Sequence, residues 1–507
     1  MTAQTRSGPG AALLGIWERH HDLLRNAGSL AATTGCTSVF GFVFWIVAAR
    51  EFSPQSVGYG AAAVSAMMLL GTIGMFGLGT MLIGELPRHR DQDGLFTAAL
   101  LASGFGSLIL GLGFPLVAEA FGGHFPEISG TPARLVLFAV GVALTGATMV
   151  LDDGVIGLLR GGVQLSRNLA ASAIKLAVLP IAAIVLHDAF GVGLLLAWVV
   201  GTLLSVMPAA IMLGRGGARI FHRPDWARLR RLGKVAMAHN WLNLAIATPP
   251  RLIPVLVTVV VSPSANAAFY VAWMITSFLF MVPVSLSTVL FAIASAAPEL
   301  IAEKLRFVLR LSLMIGVPAM IALALVAHLA LSIFGPSYAR LATIPLWLLI
   351  FSYIPGLPKT QYIAVCRATG HVSRAAVLLT ISAGCELGAV VIGGKLGGLN
   401  GLTLAYVSVT VVEGIVTAPT VLRAAYFRGG KHRAATPGLA TLPAAADVAG
   451  STGTVPAEPG YLHRQRTGFA ALVSLASAAA SEGHSLDSAT EVRRTGSLPW
   501  ARSSEPR

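Results

Sequence analysis

The chain has 507 residues, 55% of them apolar and only 11% charged, with a mean hydropathy of +0.74; a soluble domain carries about 25% charged residues, so a soluble globular protein is excluded. The formal charge of +14 would suggest a nucleic-acid partner in a soluble chain. Here the bases sit at the ends of apolar segments, where they set orientation and face anionic lipid, and nucleic acid is excluded as well. Three cysteines, Cys36, Cys366 and Cys385, have neither metal nor disulfide spacing and read as packing residues.

Residues 1–27 are expected to form a cytoplasmic N-terminal segment without a cleavable signal. It ends in the amphipathic stretch LLGIWERHHDLLRN, in which Trp17 is placed for the headgroup level. A span needs about 20 apolar residues to cross ~30 Å of hydrocarbon. On that template the first half, residues 28–213, contains six spans: Gly28 to Ala49, Gly58 to Ile83, Gly94 to Ala118, Leu135 to Leu151, Asn168 to Leu186 and Phe190 to Leu213. In the second of these, Gly71, Gly74, Gly77 and Gly79 read as a face for close helix packing. A basic linker follows over residues 214–234, with Arg215, Arg219, Arg223, Arg228, Arg230, Arg231 and Lys234 against the single acid Asp225. The second half, residues 235–428, again contains six: Val235 to Val261, Ala267 to Ser295, Phe307 to Ile333, Leu341 to Val365, Ala375 to Ile392 and Leu399 to Leu422. Residues 429–507, rich in Ala, Thr, Pro, Gly and Ser, read as a disordered cytoplasmic tail.

The expected fold is therefore an all-α integral membrane protein with twelve transmembrane helices in two six-helix bundles. Loop charges support the count. Counting the first turn of span nine and the tail to Arg433, the cytoplasmic side carries 23 Lys or Arg and the outer side four, Arg50, Arg134, Arg340 and Lys395; one missed helix would invert every later loop. Both termini are expected in the cytoplasm.

Two echoes point to an internal repeat. Ser53-Pro54 after span one matches Ser262-Pro263 after span seven, and IGLLRGGVQLSR (156–167) matches IAVCRATGHVSR (363–374), so that Arg160, Ser166 and Arg167 fall on Arg367, Ser373 and Arg374. Because six is even, the copies share one orientation and are related by an axis along the membrane normal, with a path between the halves.

Ionisable residues inside spans mark cavities or partners. Arg251 lies near mid-depth of span seven, too far from either end to snorkel, and Pro249, Pro250 and Pro254 around it are expected to kink or unwind that helix as a hinge. Lys175 and Lys359 are shallower cations. Glu386, deep in span eleven with no basic neighbour in sequence, is the candidate for exchanging H⁺ or Na⁺. Glu413 lies nearer the inner boundary, and Asp152 and Asp153, at the end of span four, could share that coupling or partner Lys175. Neither a Walker loop, a metal-ligand cluster nor a GxSxG elbow is present, so neither metal nor cofactor is expected.

The stretches LLRNAGSL, GFVFWIVAAREFSPQSVGYGAA, GLGTMLIGELPR and LLRGGVQLSRNLAASAIKL resemble the polysaccharide flippases of the multidrug/oligosaccharidyl-lipid/polysaccharide (MOP) exporter superfamily over about Leu23 to Tyr426. The resemblance implies a two-lobed flippase of a bacterial cytoplasmic membrane, not an enzyme. It would carry a polyprenyl-pyrophosphate-linked oligosaccharide to the outer leaflet by alternating access, working with membrane lipids and polysaccharide assembly proteins. Arg251, Lys175 and Lys359 are the cations that could attract the pyrophosphate. A drug or cation exporter of the same fold would want an acidic cavity instead, whereas three mid-membrane bases here oppose Glu386 and Glu413. A membrane-embedded glycosyltransferase or ligase would need acids gathered in an outer loop, where Glu119, His124 and Glu127 are the available groups.

Overall fold

The computed structural model describes residues 35–427 apart from 36, 87–92, 121, 159, 187–190, 216–221 and 297. The N-terminal segment, the start of span one and the tail expected to be disordered lie outside the described residues. Among those described, every regular element is a helix. Nine are long and apolar enough to cross a membrane, or ten when one bent pair is taken as a single span. The chain is a multi-pass integral membrane protein.

Residues 37–51 form α1, followed by α2 (Pro54–Gly74), α3 (Leu78–Glu85), α4 (Asp93–Ala120), the single turn α5 (Pro126–Ser129), α6 (Pro132–Gly157), α7 (Gly161–Val185) and α8 (Val192–Arg215). The second half contributes α9 (Trp226–Val260), α10 (Pro263–Ala296), α11 (Ile301–Ser332), α12 (Pro336–Phe351), α13 (Tyr353–Ala368) and α14 (Val372–Leu422). Three of these differ from the hydropathy template. The second span is broken, because Phe76 and Gly77 adopt positive φ (49° and 73°) between α2 and α3. The fourth span of the second half is bent by 50° between α12 and α13; Pro355 lacks the N–H that would bond the Phe351 carbonyl, and its ring crowds that carbonyl. The long α14 is two helices meeting at Gly397 and Gly398, whose φ of −141° and 57° leave the helical region.

The basic linker is shorter than its composition suggests. Asp225 accepts a hydrogen bond from the Arg228 amide at 2.9 Å and so caps α9, and its own amide donates to the Gly94 carbonyl at 3.0 Å. The last part of the linker, residues 226–234, is thus the start of α9, pinned to the start of α4. The helix then continues unbroken through Pro249, Pro250 and Pro254 to Val260.

The two Ser-Pro echoes adopt the same local structure. Ser53 caps α2, accepting from the Ser56 amide at 3.2 Å, and Ser262 caps α10, accepting from the Ala265 amide at 3.1 Å, each with proline at the first helical position. These caps meet at the end of the molecule opposite the linker. Asn266 Nδ2 donates to the Gly58 carbonyl at 2.8 Å, and a Cβ on Gly58 would fall on the Pro263 carbonyl. Around this contact Trp45 packs against Tyr270 at 4.6 Å between ring centroids, the rings tilted by 54°, and Arg50 Nε donates to the Ile333 carbonyl at 2.9 Å. The halves therefore close on each other at the end away from the linker. Gly58→Val should break that closure, at an overpacking cost of about 1–3 kcal/mol. The check is labelling of a cysteine placed at Ala61, buried beside it, which becomes reactive in the Val variant; unchanged protection would show that the contact does not hold the halves together.

Candidate functional site

At the linker end lies a cleft of about 540 Å³. It is lined by Thr80 of α3, Trp241 and Asn243 of α9, Arg367 of α13 and Ser373 of α14. Asn243 ties the walls together, its Nδ2 donating to Thr80 Oγ1 at 3.3 Å while its Oδ1 accepts from Arg367 at 3.3 Å.

Deeper in the second half three charged side chains converge from separate helices. The bend between α12 and α13 brings Lys359 to α14, where its Nζ donates to Glu386 and, at 2.9 Å, to Glu413 Oε2. Ser382 donates to the other oxygen of Glu413. Gly414 makes the approach possible, since a Cβ there would strike the Pro355 carbonyl at the bend. Side-chain exposure is 24% for Lys359, 3% for Glu386 and 9% for Glu413. Lys359 thus serves two buried carboxyl groups, and among the described residues neither has a second basic partner. Glu386 lacks a basic neighbour in sequence but has one in space. Glu413 belongs to the same cluster rather than to the boundary.

The first half holds a neutral counterpart. Arg167 forms a two-pronged ion pair with Asp152, Nε reaching Oδ1 at 2.7 Å and Nη2 reaching Oδ2, and it also donates to Ser205 and Asn168. Sequence reading placed Arg167 in a linker-side loop; the helix instead begins at Gly161 and buries it at 6% exposure. Asp152 therefore pairs with Arg167 and not with Lys175. Asp153 packs against Gly79. The Lys175 stem crosses Gly201 and sets its Nζ 3.4 Å from the centroid of Trp198, a cation–π contact.

Arg251 differs from these cations. It is half-buried in α9, nine residues from the helix end at Val260, about 13 Å at 1.5 Å per residue. Among the described residues it has no hydrogen-bond or ion-pair partner. Local spacing could not reveal the Lys359 cluster, whose members lie 27 and 54 residues apart. Arg167 carried one signal, an acid at similar depth in the preceding span.

A family model for polysaccharide biosynthesis proteins matches residues 23–296. The chain is similar in fold to an inward-facing multidrug-resistance MATE-family transporter of the MOP superfamily, at TM-score 0.64 and 16% identity over 76% of this chain and 94% of that one. It is also similar to a MOP transporter from Pyrococcus furiosus Vc1 (DSM3638), described as having a binding pocket of reverse polarity that suggests a different function (TM-score 0.53, 14% identity, 79% and 96% covered). An outward-facing MATE-family structure matches at TM-score 0.52 and 15% identity, with 79% and 95% covered. No curated protein sequence matches the chain.

Proposed function

The chain belongs to the polysaccharide biosynthesis protein family and shares the fold of MOP-superfamily transporters, and on that premise we propose that it is a transporter that moves a polyprenyl-pyrophosphate-linked oligosaccharide across a bacterial cytoplasmic membrane by alternating access. The observation that carries the choice of cargo is Arg251, a mid-membrane guanidinium without a protein partner among the described residues. A lipid-linked diphosphate leaving the headgroup layer needs a countercharge inside the bilayer, and a guanidinium supplies one that stays protonated and grips phosphate oxygens in pairs. Lys175, held on the Trp198 face, is a second basic group with no carboxylate partner among the described residues. Lys359 is spoken for by Glu386 and Glu413 and serves the coupling site instead.

The proposed architecture is twelve spans in two repeated six-helix lobes, residues 28–213 and 235–428, with the linker and both termini cytoplasmic. Contact at the far end and the cleft at the linker end then correspond to a state open to the cytoplasm. The three prolines of α9 are placed to let it flex between lobes, and the cluster at Glu386 and Glu413 is the proposed H⁺ or Na⁺ site, in preference to the neutralised Asp152 and to Asp153. Reporters fused at His124 and Lys395 are expected outside and one at Arg230 inside; an external Arg230 overturns the arrangement.

One observation favours a cation exporter of the same fold, namely the two acids set against one base around Lys359. Proteoliposomes separate the two. The expected result is transfer of a fluorescent polyprenyl-diphosphate glycan to the opposite leaflet, with no uptake of a lipophilic cation. Cation uptake without glycan transfer would make the acidic cluster the cargo site.

A further inference from the structure

The connection between α4 and α6 carries a carboxylate with no part in the transport path described above. Pro126 opens the single turn α5, and Phe125 and Ile128 on either side of Glu127 are buried against Ala62 and Met67 of α2, Phe138 of α6 and Val255 of α9. The turn is thus seated in the mouth between the first-half helices and α9, at the end where the two halves are closed. Gly123, just before it, packs on Val259 of α9.

Glu127 is 0% exposed, and among the described residues no other residue hydrogen-bonds either of its carboxylate oxygens. The ionisable groups around it do not neutralise it. Arg134 at the start of α6 spends its Nη1 on the Pro126 carbonyl at 2.9 Å, and Tyr59 is the titratable residue facing it from α2. Glu119 at the end of α4 and His124 in the connection are exposed. From α8 and α9 the packing residues are the apolar Leu195, Val199, Val255 and Val259, and Arg251, one turn further in on α9, makes no bond to it. Burial pushes the Glu127 carboxyl well above the usual carboxylate range, its own backbone amide and the Arg134 charge opposing this only in part.

We propose that Glu127 is a proton-binding site that latches the outer mouth of the transporter, the neutral carboxyl seating α5 among its apolar neighbours and the ionised one releasing it. When the mouth opens, the carboxyl is hydrated and gives its proton to external water; when the mouth closes, it takes one back from the same side. The sign follows from linkage. A carboxyl whose affinity for the proton is higher in the closed state stabilises that state at low pH, and this contribution is lost as external pH rises. Between the hydrated value of about 4.3 and the raised one, the open-to-closed ratio increases by about tenfold per pH unit.

The latch requires that this loop faces outward, as proposed above, which the reporter at His124 tests separately, and it is independent of the cargo. The experiment uses the full chain in right-side-out vesicles, with Cys36, Cys366 and Cys385 replaced by alanine and one cysteine introduced at Ala66, which is 1% exposed beside the α5 seat. Labelling by an impermeant maleimide is followed against external pH, and each rate is divided by that of the same protein carrying Glu127→Gln, which cancels the thiol's own titration. The expected ratio rises by about tenfold per pH unit through the transition, and Glu127→Asp retains the rise. A ratio that stays flat from pH 5.5 to 8.5 overturns the latch. Spin labels at Ser129 and Val261 give a readout that needs no change at Glu127: their separation should lengthen with external pH, and a pH-independent distance overturns the latch equally.

Discussion

Lys359→Ala destabilises the detergent-solubilised protein severely, while adding Glu386→Gln to it restores much of the loss. Removing the ammonium leaves Glu386 and Glu413 buried together without a counter-ion, and breaking a buried ion pair from one side costs about 3–5 kcal/mol. The second substitution replaces one stranded carboxylate by a neutral amide of the same shape. In a double-mutant cycle the two changes should couple by roughly 0.5–3 kcal/mol, read from melting temperatures at fixed detergent and pH. Additive effects, or a Lys359→Ala protein as stable as wild type, would mean that the three side chains do not form the cluster seen on α13 and α14. Glu386→Gln alone keeps Lys359 paired with Glu413 and should leave the protein folded, while driven transport loses its dependence on the ion gradient.

Much of the helix layout is legible in the sequence, because an apolar run of bilayer length has few other uses and its ends are marked by Arg, Lys, Gly and Ser-Pro. Ser53-Pro54 and Ser262-Pro263 are readable down to their capping role, since serine before a helix and proline at its first position have one physical explanation. Breaks inside spans are harder to read. The glycines of the second span suggested close packing, and Gly74 does pack against Ser107, but nothing in their spacing says that the chain reverses its handedness at Phe76 and Gly77. Pro355 and Pro358 announce a bend without giving its direction, and it is the direction that carries Lys359 to Glu386.

Charges were legible by type and depth but not by partner. Arg167 counted as an interfacial base because basic residues gather at that side of the membrane; its burial against Asp152 is a tertiary fact. Glu127 resembled any acid in a polar connection, since only the packing of Phe125 and Ile128 reveals that the loop turns inward. Arg251 was readable as an anomaly from the start, and its isolation among the described residues adds to that.

Arg251 accordingly gives the second large effect. Lysine in its place keeps the charge but loses the planar fork, and glutamine loses both. A hydrogen bond to a charged group contributes about 1.5–3 kcal/mol, which corresponds to about 10–100-fold in a rate. Translocation should therefore fall in order from wild type to Arg251→Lys to Arg251→Gln, the last by about 100-fold or more if two such bonds are lost, with equal amounts of folded protein in the membrane. Failure of Arg251→Gln to insert would instead mark the arginine as a structural residue. The decisive measurement is the initial rate at which a purified polyprenyl-diphosphate oligosaccharide becomes accessible on the opposite leaflet of proteoliposomes holding matched amounts of the three proteins. The graded loss is the predicted result, and a wild-type rate in Arg251→Gln would contradict a cargo diphosphate carried past this guanidinium.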